Sequence, residues 1–330
     1  MRKKDAEFRY DVLNDDWVII APKRADRFKT KGDPAQVGDC PFCKIEQQEK
    51  PVLVYSHGNK KDVKDLKDWT TVAIPNKYPM LVPSKKREEE KNGPYKKIKA
   101  GGFHEVIVFK DHNKDFPQLS LSEIEEIIDI YEARINEFKK YDFVKAAIVF
   151  HNRGKAAGAT QPHPHSQILG IPLIDKEFKI TLENSEKHYE DNSECLQCLI
   201  NRTEKKDKKR IVFENDDFLC YVPFAPKFAF EVVIVPKKHS SKFEEIMEKE
   251  KKSLAEAIKK LTSKLYTGLN NPSYNFYLRT APFDKDYSFF HWYIVLVPRI
   301  QTWAGFELGS EMEVSTILPE EAAEFLRKQK

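Results

Sequence analysis

No run of about 18 apolar residues occurs anywhere in the 330-residue sequence, which excludes a hydrophobic membrane-spanning helix. Neither sign of charge dominates. Lys and Arg total 56 against 52 Asp and Glu, a net charge of +4, and no basic block is interleaved with aromatics. A nucleic-acid partner is therefore not expected. The charged start MRKKDAEFRY has no apolar segment after it, so no secretory signal is read there and a cytoplasmic location is expected. The GxxxxGK[ST] pattern of a Walker loop is absent. The charged runs KKREEEK (85–91) and EKKDKKR (204–210) read as solvated loops or helix faces. What remains is 40% hydrophobic with 12% aromatic, enough to build two domains or one large one.

Cysteine is scarce, and its placement is informative. Four of the five form pairs of identical spacing, Cys40-Pro-Phe-Cys43 and Cys195-Leu-Gln-Cys198. Cys220, inside DFLCYVPF, reads as a buried strand residue. In a reducing compartment paired CxxC points to metal first and redox chemistry second. The histidines strengthen the metal reading. HEVIVFKDH (104–112) follows the first pair and FEVVIVPKKH (230–239) the second, each an apolar strand closing on a histidine. From His112 to His163 is 51 residues, and from His239 to His291 is 52. An internal duplication results, with Cys40, Cys43, His112 and His163 in one half and Cys195, Cys198, His239 and His291 in the other. Two thiolates and two imidazoles close a tetrahedron around Zn2+, so both sites are expected to be structural. His104 competes with His112 for the first; His112 is preferred because its counterpart His239 also follows the strand.

The pattern of elements repeats as well. Strands are expected at 17–21, 71–74, 105–109, 145–150, 167–171, 231–235, 274–280 and 291–297. A helix with an Ile124, Ile127, Ile128, Tyr131 and Ile135 stripe is expected to begin at a Ser122/Glu125 capping box. A second, with Leu254, Ile258, Leu261 and Leu265, is expected after a Ser241/Glu244 box, and a last helix near Pro319. The fold class is α+β: a tandem duplication of mostly antiparallel halves, 1–175 and 176–330, each with a packed helix.

The halves differ where chemistry would sit. The first reads His163-Pro-His165-Ser-Gln167 and the second His291-Trp-Tyr293-Ile-Val295. His163 reads as a ligand and His165 as the imidazole it positions. A fixed neutral imidazole is a general base or a nucleophile, and a nucleophile must hold one nitrogen as N–H and present the lone pair of the other. Gln167 offers an amide N–H to an anionic oxygen. HNRGKAAGAT (151–160) adds Asn152, Arg153, Lys155 and small residues that admit a phosphate, and Arg24 and Arg27 are phosphate-pairing candidates. Together these point to attack of imidazole on phosphorus, giving a phosphoramidate, with no catalytic metal required.

The stretch FHNRGKAAGATQPHPHSQ resembles the active-site motif of the galactose-1-phosphate uridylyltransferase family, a branch of the histidine-triad superfamily. RADR, CPFC, AIPNKYP and VPKKH are similar to other family landmarks in the same order, so the resemblance spans about residues 6 to 328. It implies two histidine-triad halves in tandem, a homodimer, and ping-pong transfer of a nucleoside monophosphate from a nucleotide sugar, UDP-hexose first, to a hexose 1-phosphate. It further implies His165 as nucleophile, Gln167 as the group that steadies the phosphate, and a pocket of Asn152, Gly158, Ala159 and Thr160 with Arg24 and Arg27 nearby. Asn76 falls where the family contacts the nucleoside, and Glu311 near its sugar-binding carboxylate.

Two features depart from the transferases. They carry Gln after the Gly-x-Glu-Met stretch, whereas GSEMEVSTILPEE has Thr316 and Ile317 there. AGFELG (304–309) is closer to the branch of ADP-glucose phosphorylases, which use inorganic phosphate as acceptor; His-Pro-His is the transferase form. Phosphorolysis of a nucleotide sugar and histidine-triad hydrolysis are the alternatives to transfer, and a non-catalytic zinc protein is the third class.

Overall fold

The computed structural model describes residues 6–13, 15–21, 40–84 and 89–330. Arg24 and Arg27 lie outside the described residues. The first half contains β1 (Glu7–Asp11), β2 (Asp16–Ile20), β3 (Leu53–Ser56), β4 (Asn59–Lys61), β5 (Thr71–Pro75), β6 (Glu89–Asn92), β7 (Tyr95–Lys99), β8 (Phe103–Phe109), α1 (Leu121–Phe138), β9 (Ala146–Arg153) and β10 (His165–Ile171). The second contains α2 (Lys176–Asn192), α3 (Leu196–Asp207), β11 (Ile211–Glu214), β12 (Phe218–Tyr221), β13 (Val232–Pro236), α4 (Glu248–Gly268), β14 (Tyr274–Arg279), β15 (Tyr293–Pro298), α5 (Gly305–Ser310) and α6 (Pro319–Arg327).

β2-β1-β7-β6 form a small sheet, and the other strands form one 11-stranded sheet in the order β11-β12-β13-β15-β14-β9-β10-β8-β5-β3-β4. Reading outward from its centre shows the duplication. β9, β10, β8 and β5 on one side correspond to β14, β15, β13 and β12 on the other. The halves meet where β14 pairs antiparallel with β9, from Tyr274 opposite Arg153 to Arg279 opposite Ile148. The expected α+β class therefore holds, with the halves fused through one continuous sheet.

Alternation fixes what each face carries, because successive strand side chains point to opposite sides. Ile107, Phe109, Ile168, Ile234 and Leu296 join the stripes of α1 and α4 in the main core. The five stripe residues of α1 and the four of α4 are all buried, as their spacing predicts. On the opposite face, Val106 and Val108 pack with Val72 and Ile74 in a second cluster. His165 and Gln167 alternate with Ser166 and Ile168, so they lie on the face away from α1.

Several local expectations are corrected. α1 starts one capping frame earlier: Ser120 Oγ accepts from the Glu123 N–H at 3.2 Å, and the Glu123 carboxylate accepts from the Ser120 N–H at 2.7 Å. Two S-x-x-E frames overlap in SLSEIE, and the earlier one lengthens the helix. Ser241 and Glu244 form no helix cap. Phe243–Glu245 makes only a 3-10 turn, and buried Glu244 accepts from Thr280 Oγ1 and Lys139 Nζ. α4 begins at Glu248, where Glu250 takes the Met247 N–H. The run 204–210 is not wholly solvated. Arg210 and Glu204 are buried against each other at 2.7 Å, and Arg210 also reaches Glu320 at 2.7 Å. The sequence pattern assigned no helix to α2, α3 or α5.

A buried polar network ties the halves together behind β10. Asp115, on the loop after β8, accepts from His151 Nε2 at 3.2 Å, Arg153 Nε at 3.1 Å and Tyr274 Oη of the second half at 3.0 Å. Burial raises its pKa, but the His151 ring, the Phe116 N–H and Arg153 outweigh that and hold it below the usual range. Removing one partner of a buried charge set strands the others. Asp115→Ala is expected to destabilise the chain by about 3–5 kcal/mol in denaturant titration. A loss under about 1 kcal/mol would mean the network does not join the halves.

Candidate active site and metal clusters

The CxxC pairs and histidines converge as their spacing requires. Cys40, Cys43, His112 and His163 bring their ligand atoms within 4.8 Å of one another, as do Cys195, Cys198, His239 and His291. In the first cluster Cys43 Sγ lies 3.2 Å from His112 Nδ1 and 3.5 Å from His163 Nδ1, and the two Nδ1 atoms are 3.2 Å apart. In the second, Cys198 Sγ is 3.5 Å from Nδ1 of both His239 and His291. A tetrahedron with Zn–S of about 2.3 Å and Zn–N of about 2.0–2.1 Å has S–N edges of roughly 3.5 Å and N–N edges of roughly 3.3 Å. Both clusters fit it. Two of the other ring nitrogens donate to carbonyls as metal ligands require, while His291 Nε2 is buried with no hydrogen-bond partner among the described residues. His163 Nε2 donates to Phe109 O at 2.6 Å and His239 Nε2 to Ser288 O at 2.8 Å.

Charge tells the same story. Burial and the neighbouring Cys40 push the Cys43 thiol up to about 11. Burial and Cys195 push Cys198 up to about 12, while hydrogen bonds from His239 and His291 overcome burial to bring Cys195 down to about 5. Within each pair one thiolate suppresses the other, and a cation between them lets both ionise. The carboxylates of Asp129, Glu132 and Glu248 also converge, but Lys251 Nζ already lies within 2.7 Å of each.

Neither histidine of the two matched stretches sits inside its strand: His163 and His291 stand just before β10 and β15. His165 opens β10, buried to 7% exposure. Its Nδ1 lies 2.8 Å from the carbonyl oxygen of His163. A carbonyl only accepts, so Nδ1 carries the proton and the lone pair is on Nε2. Phe42, inside the first CxxC, packs its ring at 5.8 Å from His163 and 5.1 Å from His165, so both imidazoles lie on its side.

Gln167 is two residues along the same face and 9% exposed. Its Oε1 lies 3.0 Å from His104 Nε2. His104 is thus absent from the metal cluster, as preferred, and stands instead beside Gln167. Asn76 hangs from the same residue: its N–H donates to His104 O at 2.9 Å, and its Nδ2 lies 3.0 Å from His104 Nε2.

The loop after β9 needs Gly154. Its φ is +80°, and a Cβ there would meet Ser273 Oγ at 2.2 Å. The Gly158 and Ala159 amides close a turn onto Lys155 O and Gly154 O, so they are not the open donors expected of a phosphate cradle. Thr160 follows in the same loop. Arg153 turns away to Asp115 and Pro272 O. Asn152 Oδ1 accepts from Asn275 Nδ2 of β14 at 2.8 Å, which leaves the Asn152 amide hydrogens for another partner. Asn275 was missed; its place opposite Asn152 in the central strand pair depends on the fusion of the halves. Glu311 is exposed at the C-cap of α5, and its side chain has no hydrogen-bond partner among the described residues.

A cavity of about 1020 Å³ opens on the second half, lined by Tyr221, Phe224, Phe290 and Tyr293 beside Cys195 and His291. Tyr293 there takes the place His165 holds in the first half. Arg210, its buried cation, is already paired with two carboxylates. His165 and Gln167 lie on the other half, so the chemistry is read from there and not from this cavity.

The model of the galactose-1-phosphate uridyl transferase N-terminal domain matches residues 1–174, and that of the C-terminal domain residues 181–329. Galactose-1-phosphate uridylyltransferase of Thermotoga maritima is 32% identical over 335 residues, covering 98% of each chain. ADP-glucose phosphorylase of Arabidopsis thaliana is 28% identical over 340 residues, covering 99% of this chain and 94% of the relative. The crystal structure of an Arabidopsis thaliana ADP-glucose phosphorylase with bound ADP-glucose superposes with a TM-score of 0.77 at 26% identity, over 99% of this chain and 100% of that one. With both domain models matched along nearly its whole length, the chain belongs to the galactose-1-phosphate uridyl transferase family.

Proposed function

We propose that the protein is a nucleotidyltransferase that moves a nucleoside monophosphate from a nucleotide sugar, a UDP-hexose first, to a hexose 1-phosphate. The observation that carries this reading is the hydrogen bond from His165 Nδ1 to the His163 carbonyl, which leaves the ring lone pair on Nε2 and supports that atom as the nucleophile. Nε2 attacks the α-phosphorus, and a P–N bond forms as the P–O bond to the sugar phosphate breaks. The sugar 1-phosphate leaves. A phosphate oxygen of the second substrate then attacks the same phosphorus, the P–N bond breaks, and His165 returns neutral. Gln167 donates its amide hydrogens to the phosphate during both attacks. Asn152, Gly158, Ala159 and Thr160 border the phosphate, Asn76 faces the nucleoside, and Arg24, Arg27 and Glu311 complete the substrate set.

Each Cys2His2 cluster holds one Zn2+, which fixes loops and takes no part in bond making. The first cluster anchors the residue whose carbonyl orients His165. The halves run 1–175 and 176–330. Thiol-rich sites of this kind suit the reducing cytoplasm. Among the described residues no helix is long and apolar enough to cross a membrane. A homodimer is supported by the exposed apolar side chains Trp303, Phe306, Leu308, Met312 and Val314, since such a stretch on a folded chain marks a contact surface.

A second reading is phosphorolysis of an ADP-glucose-type sugar, favoured by the missing Gln. Thr316 at that place instead accepts from Gln301 at 2.7 Å. Steady-state assays separate the readings. UDP-glucose with galactose 1-phosphate is expected to yield UDP-galactose and glucose 1-phosphate, with parallel ping-pong lines. ADP-glucose turned over faster with inorganic phosphate would select the phosphorylase, and nucleoside monophosphate released without an acceptor would select a hydrolase. Asn275→Leu frees the Asn152 oxygen and is expected to lower kcat/KM about tenfold, the lower range for residues that orient a ligand. An unchanged value would remove Asn152 from the site.

A further inference from the structure

His104 stands on β8 opposite Leu169, on the face that carries His165 and Gln167. Its ring is held from two directions. The Met80 N–H donates to Nδ1 at 3.1 Å, and Nε2 lies 3.0 Å from Gln167 Oε1. A backbone N–H can only donate, so Nδ1 is the acceptor and Nε2 must carry the proton. The Nε2–H therefore points at Gln167. The third group at this point, Asn76 Nδ2, also arrives as a donor, because Asn76 Oδ1 is taken by the Tyr78 N–H at 2.9 Å. Gln167 Oε1 is thus the one acceptor among the three.

This decides which way the Gln167 amide faces. An unrestrained glutamine presents oxygen or nitrogen with similar ease, and an oxygen turned to a phosphate would repel it. We propose that His104 is a positioning residue for nucleotidyl transfer: by holding Gln167 Oε1 it turns the Gln167 NH2 toward the phosphate on His165. The proposal rests on the reading of Gln167 given above. His104 also ties the 76–80 loop to β10, since its carbonyl takes the Asn76 N–H and its ring the Met80 N–H. That second role is structural, and the two roles use different ring nitrogens.

Amide substitutions separate them. Gln at 104 carries an N–H donor out to the position of Nε2. Asn places an acceptor near the position of Nδ1 and cannot reach Gln167. The readout is the single-turnover rate of nucleotidyl-His165 formation from UDP-glucose, with KM, metal content and unfolding midpoint measured alongside. His104→Phe and His104→Asn are expected to slow the step about 10–100-fold with little change in KM. His104→Gln is expected to recover most of the rate. In a Gln167→Ala background, His104→Phe is expected to cost nothing further, because the two residues act as one unit. A full additional loss in that background, or recovery by Asn and not by Gln, would overturn the proposal and leave His104 as a loop anchor. Gln167→Ala at the wild-type rate would instead overturn the role of Gln167 itself, and the proposal with it. His104→Gln, which keeps a polar side chain of similar reach, keeps the test open if His104→Phe folds poorly.

Discussion

His165→Ala is expected to reduce turnover by on the order of 10⁴-fold or more, as the loss of a covalent nucleophile does. The fold and both metal clusters should survive. His165 is not among the eight clustered ligands, and its ring bonds to the backbone carbonyl of His163 at the start of β10. The expected result is a chain with wild-type metal content and unfolding midpoint that neither exchanges labelled sugar phosphate into the nucleotide sugar nor forms an adduct. Appreciable exchange in that variant would require another nucleophile. Cys43, next in sequence to the Phe42 that packs on His165, belongs to the metal set. A substantial residual rate would therefore move the chemistry to direct displacement between two bound substrates.

Cys40→Ala is expected to lose about one zinc per chain, several kcal/mol of stability and most of the activity together. Metal-binding energy is folding energy where the site does not exist in the unfolded chain. Cys40 is fully buried, and its thiolate completes the cluster that fixes His163. With the ligand set broken, His163 is no longer held, and neither is the carbonyl that keeps the proton on His165 Nδ1. The rate loss should be at least the 10–100-fold typical of removing a group that orients a ligand. Cys195→Ala provides the contrast. It removes a zinc of the second half, where Tyr293 occupies the place of the nucleophile, so stability should fall with a smaller effect on kcat. Metal analysis with activity measurements on both variants tests this pair. Equal loss of activity from either cluster would mean that zinc acts only through global stability.

Much of the site was legible because it rests on counting. CxxC pairs, strand-terminal histidines and matched intervals specify a repeat without knowledge of packing. The helix stripes were legible for the same reason, since a period of 3.6 shows in sequence. The capping frames were not, because SLSEIE offers two and only the length of packed helix selects between them. Helices α2 and α3 escaped because they are dominated by charged residues and hide few apolar ones; in α2 the buried residues are Phe178 and Leu182. His104 and Asn275 escaped for a different reason. His104 meets Gln167 only through a diagonal contact between β8 and β10, and Asn275 meets Asn152 only across the junction of the halves. Such partners are set by sheet order, which a local pattern does not encode. Alternation did contain a hint: His104 shares the parity of Val106 and Val108, and so the face of Gln167.

In the proposed mechanism His165 Nε2 takes a nucleoside monophosphate from a nucleotide sugar. The most direct test is the mass of the intact protein after mixing with UDP-glucose or ADP-glucose, without acceptor and at neutral or alkaline pH, where a phosphoramidate survives. The expected result is the added mass of one uridine monophosphate per chain, located at His165 and absent from His165→Ala. An adenosine monophosphate adduct at the same residue would keep the mechanism and shift the substrate to the phosphorylase type. Zinc-replete protein that turns over either sugar while forming no adduct, or that carries the adduct on another residue, would contradict it.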